Sequence, residues 1–345
     1  MIKHPGGWVP DRFTHSNRST LRGQVHKMRE VKKARPQGGE PQVTPDGDNP
    51  PHDRQTRLLS REKWVALVLL APATIGYLIF WLYPSGRGIY YSMTDFNLLQ
   101  DPNFVGFDNF QNMMTDRAMW TALRNTLGFV VGNIALGTTL ALISAALMQR
   151  LRLKTWVRSI MLLPWLVPGV AVALIWAWLL DPSLGFLNRL FDTIGLPTLS
   201  FYNDAQAMPI IVGIAIWQGL GYTALLLYAG MTQVPVEMYE AGAIDGASET
   251  RMFFAITLPL IRPILALVLV LSAIGSFQVF DLVMIGYAGS PIPAARTIFF
   301  FIYQQAFSFF NMGYASAVAI LLAVILGVLT LVQMRAMRAN RSDLS

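Results

Sequence analysis

The chain has 345 residues, of which 53% are hydrophobic and only 14% charged, and its net charge is +7. Soluble domains carry roughly 25% charged residues, so this composition excludes an ordinary soluble domain and points to a polytopic membrane protein. There is no cysteine, and all four histidines (His4, His15, His26, His52) precede the first apolar run, which removes disulfides, thiol nucleophiles and cysteine metal sites and leaves no imidazole in the membrane for metal or proton chemistry.

Residues 1–60 read as a basic cytoplasmic tail. Up to residue 63 there are 13 Lys/Arg against 7 Asp/Glu, so this end supplies nearly all of the net charge. Apolar periodicity is almost absent, and 36–51 has the composition of a disordered segment. The basic stretch 27–35 could meet anionic lipid headgroups, or the tail could be solvated and only set orientation; nothing in it points to nucleic acid. The first apolar run starts near Trp64, too late for a cleaved signal peptide.

A membrane-crossing helix needs about 20 mostly apolar residues. Residues 61–338 therefore read as an all-α transmembrane domain with six spans, at 64–83, 124–148, 157–180, 209–230, 263–286 and 313–334. The third and fifth have the weakest boundaries. Between the fifth and sixth, the aromatic 297–310 (Ile298-Phe-Phe-Phe-Ile-Tyr303) is too short to cross; it is an interfacial or re-entrant helix, or an early start to the sixth span. Arg150, Arg152, Lys154 and Arg158 in one loop, Arg335, Arg338 and Arg341 at the C-terminal end, and the basic tail fall on one side if there are six spans. By the positive-inside bias both termini are then cytoplasmic.

The same count puts the loop 234–262 in the cytoplasm, where it breaks the bias: Glu237, Glu240, Asp245 and Glu249 face only Arg251 and Arg262. Pro235 suits a first helical turn and the early glutamates suit a helix N-terminus. Asp245-Gly246 ends that helix, since Gly takes positive φ readily. Ala247–Phe254 starts a second one, and Pro259 and Pro263 mark the return to the membrane. Small residues at 241, 242, 243, 246 and 247 permit close contact with another protein.

These residues carry a resemblance. Glu240-Ala-Gly-Ala-Ile-Asp-Gly-Ala247, then Phe254, Ile256-Thr-Leu258-Pro259 and Pro263, resemble the EAA motif of the inner-membrane permease subunits of binding-protein-dependent ABC importers. Gly242 departs from the Ala common there. Phe104-Val-Gly-Phe-Asp-Asn-Phe110, Asn125-Thr126, Leu163-Pro-Trp165 with Pro168, Phe280-Asp281, Ile302-Tyr-Gln-Gln-Ala-Phe307 and Met312-Gly-Tyr-Ala-Ser316 resemble the carbohydrate branch, the maltose and glycerol-3-phosphate permease group. Gly286-Tyr-Ala-Gly-Ser-Pro291 stands where that branch often has a Thr-Gly-Gly-Gly-Pro-like turn, so no role is carried over to it.

The resemblance implies a six-span permease with a cytoplasmic coupling helix. Its partners would be a second, usually non-identical permease, a dimer of ATP-binding cassette ATPases and an extracytoplasmic solute-binding protein. Glu240, Ala241, Gly242, Asp245, Gly246, Ala247, Phe254, Leu258 and Pro259 would contact the ATPase. No cofactor is implied, and the chain itself is not expected to be an enzyme. The residues agree: there is no phosphate-binding loop, and no lysine at all after Lys154.

Rival readings stay in view. A permease for an amino acid, polyamine or phosphate would share the coupling motif. A secondary transporter or channel would need ionisable groups in its spans, and Asp281 is almost alone there. A membrane enzyme would need a nucleophile–base pair, a metal cluster or paired carboxylates, and none can be assembled. Sugars are held by hydrogen-bonding groups and aromatic faces, which makes Trp217, Gln218, Tyr222 and Tyr228 in the fourth span and Ser276, Gln278 and Asp281 in the fifth the candidate pathway residues. Gln218, Tyr222 and Tyr228 do not share one helical stripe, and each residue could equally serve helix–helix bonding or interfacial anchoring.

Overall fold

The structure is a computed structural model that describes residues 52–201, 203–286 and 293–339. The expected disordered stretch 36–51 and most of the Gly286–Pro291 turn lie outside the described residues. The chain divides into two compact units, Met1–Ala71 and Pro72–Ser345, and the packing described below is within the second.

Among the described residues every regular element is a helix, apart from an isolated antiparallel bridge between Thr94 and Phe104. Helix α1 (His52–Tyr77) passes through a π turn (Leu78–Leu82) into α2 (Tyr83–Tyr91). Pro84 follows that turn by two residues. A proline offers no N–H and its ring crowds the carbonyl four residues back, and a widened turn relieves both. After α3 (Asp108–Thr115) comes α4 (Arg117–Arg150), then α5 (Thr155–Leu166), α6 (Gly169–Leu179), α7 (Phe186–Thr193) and α8 (Asp204–Met231).

Among the described residues five helical stretches are long and apolar enough to cross a membrane: Trp64–Tyr91, Arg117–Arg150, Asp204–Met231, Arg262–Gly286 and Met312–Arg335. The sixth is α5 with α6, which together are apolar enough but are bent by 90° at their junction. The expected third span is therefore broken rather than straight. The cause is local. Pro168 pushes the residue before it out of the helical region, and Val167 sits at φ −78°, ψ 131°.

Helices α4 and α8 run side by side in the same direction. A Cβ on Gly132 or Gly137 would lie 3.6 Å from Val212 or 3.5 Å from Ile216, so glycine lets the two backbones approach. Nearer their C-terminal ends, Ala141, Ala145 and Met148 of α4 pack with Ala224, Leu227 and Met231 of α8, all buried. Helix α5 returns antiparallel along α8, so closely that a Cβ on Gly221 would overlap the carbonyl of Met161. There, Arg158 lies over the Tyr228 ring at 4.2 Å.

The aromatic 298–303 segment is a separate short helix. Its first backbone N–H, that of Ile298, donates to Thr126 Oγ1 at 2.7 Å, and Asn125 Nδ2 donates to the Pro293 carbonyl at 2.8 Å. It is not an early turn of the last span, because Phe310 at φ 58° interrupts the helix. The last helix (Met312–Ala339) is anchored at its start. Gly313 N–H donates to Phe96 O at 2.9 Å, and a Cβ on Gly313 would overlap the Thr94 carbonyl. The same loop is braced by Asn109, which donates to the carbonyls of Ser92 and Thr94, both at 2.9 Å. Asn103 donates to Asp95 from its side chain and its backbone, which holds that carboxyl below the usual carboxylate range.

Asp116 ties two spans together. It caps α4 by accepting from the N–H groups of Ala118 at 2.8 Å and Met119 at 3.3 Å, while Tyr314 Oη donates to its other oxygen at 2.6 Å. Tyr314→Phe removes only the second function and should cost about 1–2 kcal/mol. Asp116→Ala removes the cap as well and should cost about 1 kcal/mol more. Thermal unfolding of the purified protein in detergent checks the ranking, and an equal or greater loss in the tyrosine variant would contradict the double role of Asp116.

Candidate functional site

After α8 the chain forms a helical corner. Helix α9 (Val236–Ile244) begins behind Pro235 and carries Glu237 in its first turn. It ends at Asp245 in a Schellman arrangement: Ala247 N–H donates to Gly242 O at 2.9 Å and Gly246 N–H to Ala243 O at 3.1 Å. Gly246 takes φ +71°, a conformation that only glycine enters without strain. Ser248 then caps α10 (Glu249–Met252), accepting from Arg251 N–H at 3.3 Å. A π turn (Phe253–Thr257) leads into α11 (Leu258–Leu260), and Pro259 follows that turn by two residues, as Pro84 follows the first one.

The corner is held as one piece. Tyr239 Oη and Thr257 Oγ1 are 2.8 Å apart, and Thr257 is buried. A Cβ at Gly242 would sit 3.2 Å from both Met252 Sδ and Ile256 Cδ1, so glycine there lets α9 lie against the returning segment. Ile261 is buried with Met148 and Met231, which fixes the corner to the ends of α4 and α8. Arg150 and Glu249 add an ion pair at 3.1 Å; both are well exposed, so it contributes little.

The corner's outer face is open. Glu240, Ala241, Asp245, Gly246 and Phe254 are exposed, while Gly242, Ala247, Leu258 and Pro259 are half-buried behind them. Ile244 is 87% exposed and Phe254 62% exposed. Two large apolar side chains standing out beside carboxylates, on a corner closed by its own hydrogen bonds, form a rigid surface suited to a protein partner.

The second feature is a cavity of about 620 Å³. It lies at mid-height of α4 and α8, whose contributions include Asn133 and Gln218. It opens between two broken helices. One break is the α5–α6 junction. The other separates α12 (Arg262–Phe277) from α13 (Asp281–Gly286), with Gln278, Val279 and Phe280 between them. Gln218 Nε2 donates to the Val167 carbonyl at 3.1 Å, which supplies a partner for an acceptor freed by the first break. Asn133 Nδ2 donates to Ser276 Oγ at 2.8 Å, and Ser276 Oγ donates to Ser272 O at 2.6 Å, joining α4 to α12. Asp281 lies against Gly169, the first residue of α6, so closely that a Cβ on that glycine would overlap the carboxylate. Phe129, Trp165 and Phe280 supply aromatic wall, and Trp165 is stacked flat on Tyr222 at 4.4 Å.

Of the expected pathway residues, Gln218, Ser276, Gln278 and Asp281 line this cavity. Trp217, Tyr222 and Tyr228 do not. Trp217 meets Trp176 edge-on at 5.5 Å, Tyr222 backs Trp165 from behind, and Tyr228 lies under Arg158. The sequence reading missed Asn133, Phe129, Trp165 and Phe280. Asn133 is an amide in the apolar middle of its helix, which was the available signal.

Residues 137–341, more than half of the chain, match the family described as binding-protein-dependent transport system inner membrane component. The chain is 31% identical over 286 residues to the probable ABC transporter permease protein YesP of Bacillus subtilis (strain 168), covering 81% of this chain and 92% of that protein. It is 30% identical over 283 residues to the sn-glycerol-3-phosphate transport system permease protein UgpA of Escherichia coli O6:K15:H31, covering 81% and 96%. Among solved structures, a chain of a bacterial ABC transporter involved in the import of the acidic polysaccharide alginate superposes with TM-score 0.72 at 26% identity, covering 83% of this chain and 99% of that one. A chain of the bacterial alginate ABC transporter in complex with alginate pentasaccharide-bound periplasmic protein gives TM-score 0.70 at 25% identity, covering 79% and 93%.

The left-handed Gly246 makes a local prediction. Gly246→Ala should destabilise the corner by about 1 kcal/mol, speeding hydrogen exchange of the Ala247 amide roughly five-fold while exchange in α4 is unchanged. An unaltered rate at Ala247 would show that the corner does not depend on this turn.

Proposed function

The chain belongs to the family of binding-protein-dependent transport system inner membrane components, and we propose that it forms half of the path by which a carbohydrate or related polyol crosses the membrane. It is a multi-pass inner-membrane protein and a permease of an ABC importer, not an enzyme. The observation that carries the detailed reading is the rigid helical corner 234–262 with an open apolar and acidic face, set directly on the ends of α4 and α8.

In this reading the corner is the contact for a separate ATPase dimer. Glu240, Ala241, Gly242, Asp245, Gly246, Ala247, Phe254, Leu258 and Pro259 present or shape the surface. A push on it would reach the bundle through the Tyr239–Thr257 bond and the Ile261 contacts rather than being lost in a flexible loop. The absence of any phosphate-binding loop in the sequence supports hydrolysis on another subunit. The cluster of Arg150, Arg152, Lys154 and Arg158 at the same end supports placing the corner and both termini in the cytoplasm, with 1–60 as a basic tail.

Two further partners complete the assembly in this reading: a second permease, of different sequence in the family's manner, and a solute-binding protein on the opposite face. The complex of the alginate transporter with its periplasmic protein supports the latter. The relatives' solutes, sn-glycerol-3-phosphate and alginate, share a polyhydroxylated character, which supports a carbohydrate or polyol here. The cavity agrees in kind, with amide, hydroxyl and carboxylate groups beside aromatic faces. Gln218, Gln278 and Asp281 are its expected contacts, whereas Tyr222 backs Trp165 and Trp217 packs on Trp176 outside the lining.

Asp245→Lys or Gly246→Trp should leave membrane insertion intact and cut ATP-driven uptake at least ten-fold in proteoliposomes holding the whole complex. Normal uptake by a stably assembled mutant complex would refute the coupling role. The chain purified alone should hydrolyse no ATP, and a tagged chain drawn from native membranes in mild detergent should bring an ATPase, a second permease and a binding protein with it.

A further inference from the structure

We propose that the solute crossing this half of the path is uncharged, and that Asp281 is the residue that turns anionic solutes away; the inference rests on the importer reading above. Three observations meet at the cavity. First, Asp281 is its one charged lining residue, and no Lys, Arg or His is among the others. Second, its carboxylate makes no hydrogen bond or ion pair among the described residues. Third, it lies against Gly169, at one of the two helix starts that border the cavity. A helix starting inside the membrane offers free N–H groups and a partial positive charge to a negative group. At the start of α6 the protein's own carboxylate stands beside Gly169, so an incoming anion would meet a negative charge there.

The chemistry follows from these positions. An unpaired carboxylate has free lone pairs for sugar or polyol hydroxyls, and aromatic wall stands beside it for the faces of a sugar ring. A phosphate or uronate in the same space would meet that negative charge with no compensating cation among the described lining residues, and between the protein walls repulsion is stronger than in water. Gln278 and Asn133 can select hydroxyl orientation but cannot offset that charge.

The test uses the natural absence of cysteine. Gln278→Cys, or Gly275→Cys at a second lining position where an added Cβ meets open space, is placed in the assembled importer. Its rates of modification by trimethylammonium-ethyl and sulfonato-ethyl methanethiosulfonates are measured, each divided by its rate with a free thiol in solution. The cationic reagent should be favoured about ten-fold, and Asp281→Asn should bring the ratio to near one. A ratio near one with Asp281 present, or a preference for the anionic reagent, would overturn the proposal. The co-purified binding protein gives an independent reading: retention of neutral sugars but not glycerol-3-phosphate supports it, and the reverse overturns it. Failure to recover any ATPase or binding protein would instead sink the importer reading, and the reagent ratio would still report the charge of the cavity.

Discussion

A helix broken inside a membrane leaves carbonyl and N–H groups with no water to bond, and the rest of this molecule depends on where those groups go. The break at Val167–Pro168 is answered from a neighbouring helix: Gln218 of α8 donates to the Val167 carbonyl. The carboxylate of Asp281, which itself begins α13 after the second break, lies against Gly169 at the start of the next segment. The two discontinuities thus meet at the Gly169–Asp281 contact, and the space left beside it is the cavity. Without Gln218 the unsatisfied carbonyl would favour reforming a straighter helix or letting water in, and either would change the cavity itself.

This explains why polar residues are so few in the spans. Asn133 and Ser276 join α4 to α12, Gln218 stabilises a break, and Asp281 sits at a helix start. Helix association elsewhere is left to small residues that let backbones touch, as at Gly132, Gly137 and Gly221. Aliphatic side chains gain little from one another when lipid is the alternative solvent, so close backbone packing has to supply the specificity.

The helical class, the approximate positions of the spans and the family could be read from the sequence, because a run of 20 apolar residues has few physical meanings and the 240–263 spacing is specific. The corner's shape was also legible, since Pro235, Gly246 and Pro259 each impose a backbone conformation. Two things were not. The 90° bend is one, because Pro164 and Pro168 say that hydrogen bonds are lost but not whether neighbours will straighten or fold the chain. The cavity wall was only half visible: Gln218 and Asp281 are polar and stand out, whereas Phe129 and Phe280 cannot be told from core until a third dimension shows which aromatic faces empty space. The same limit applies to Trp217 and Tyr222, rings that look like sugar platforms in the sequence and pack on Trp176 and Trp165 in the structure.

The corner and the cavity are joined by rigid material. From Thr257, bonded to Tyr239, the chain runs through Ile261 into α12 and reaches Ser276 at the cavity. The 16 residues of α12 span about 24 Å without a break. Helix α4 makes a second connection, from Arg150 and Met148 beside the corner to Asn133. The Asn133–Ser276 hydrogen bond closes the loop between these two rods at the level of the cavity. A displacement of the corner therefore cannot be absorbed locally. It must move both rods together, or shear them at that one bond, and the discontinuities at Val167 and Gln278 are the places where the surrounding helices can give. The polar pair at mid-membrane is thus where motion at the water-facing end would be felt by a bound solute.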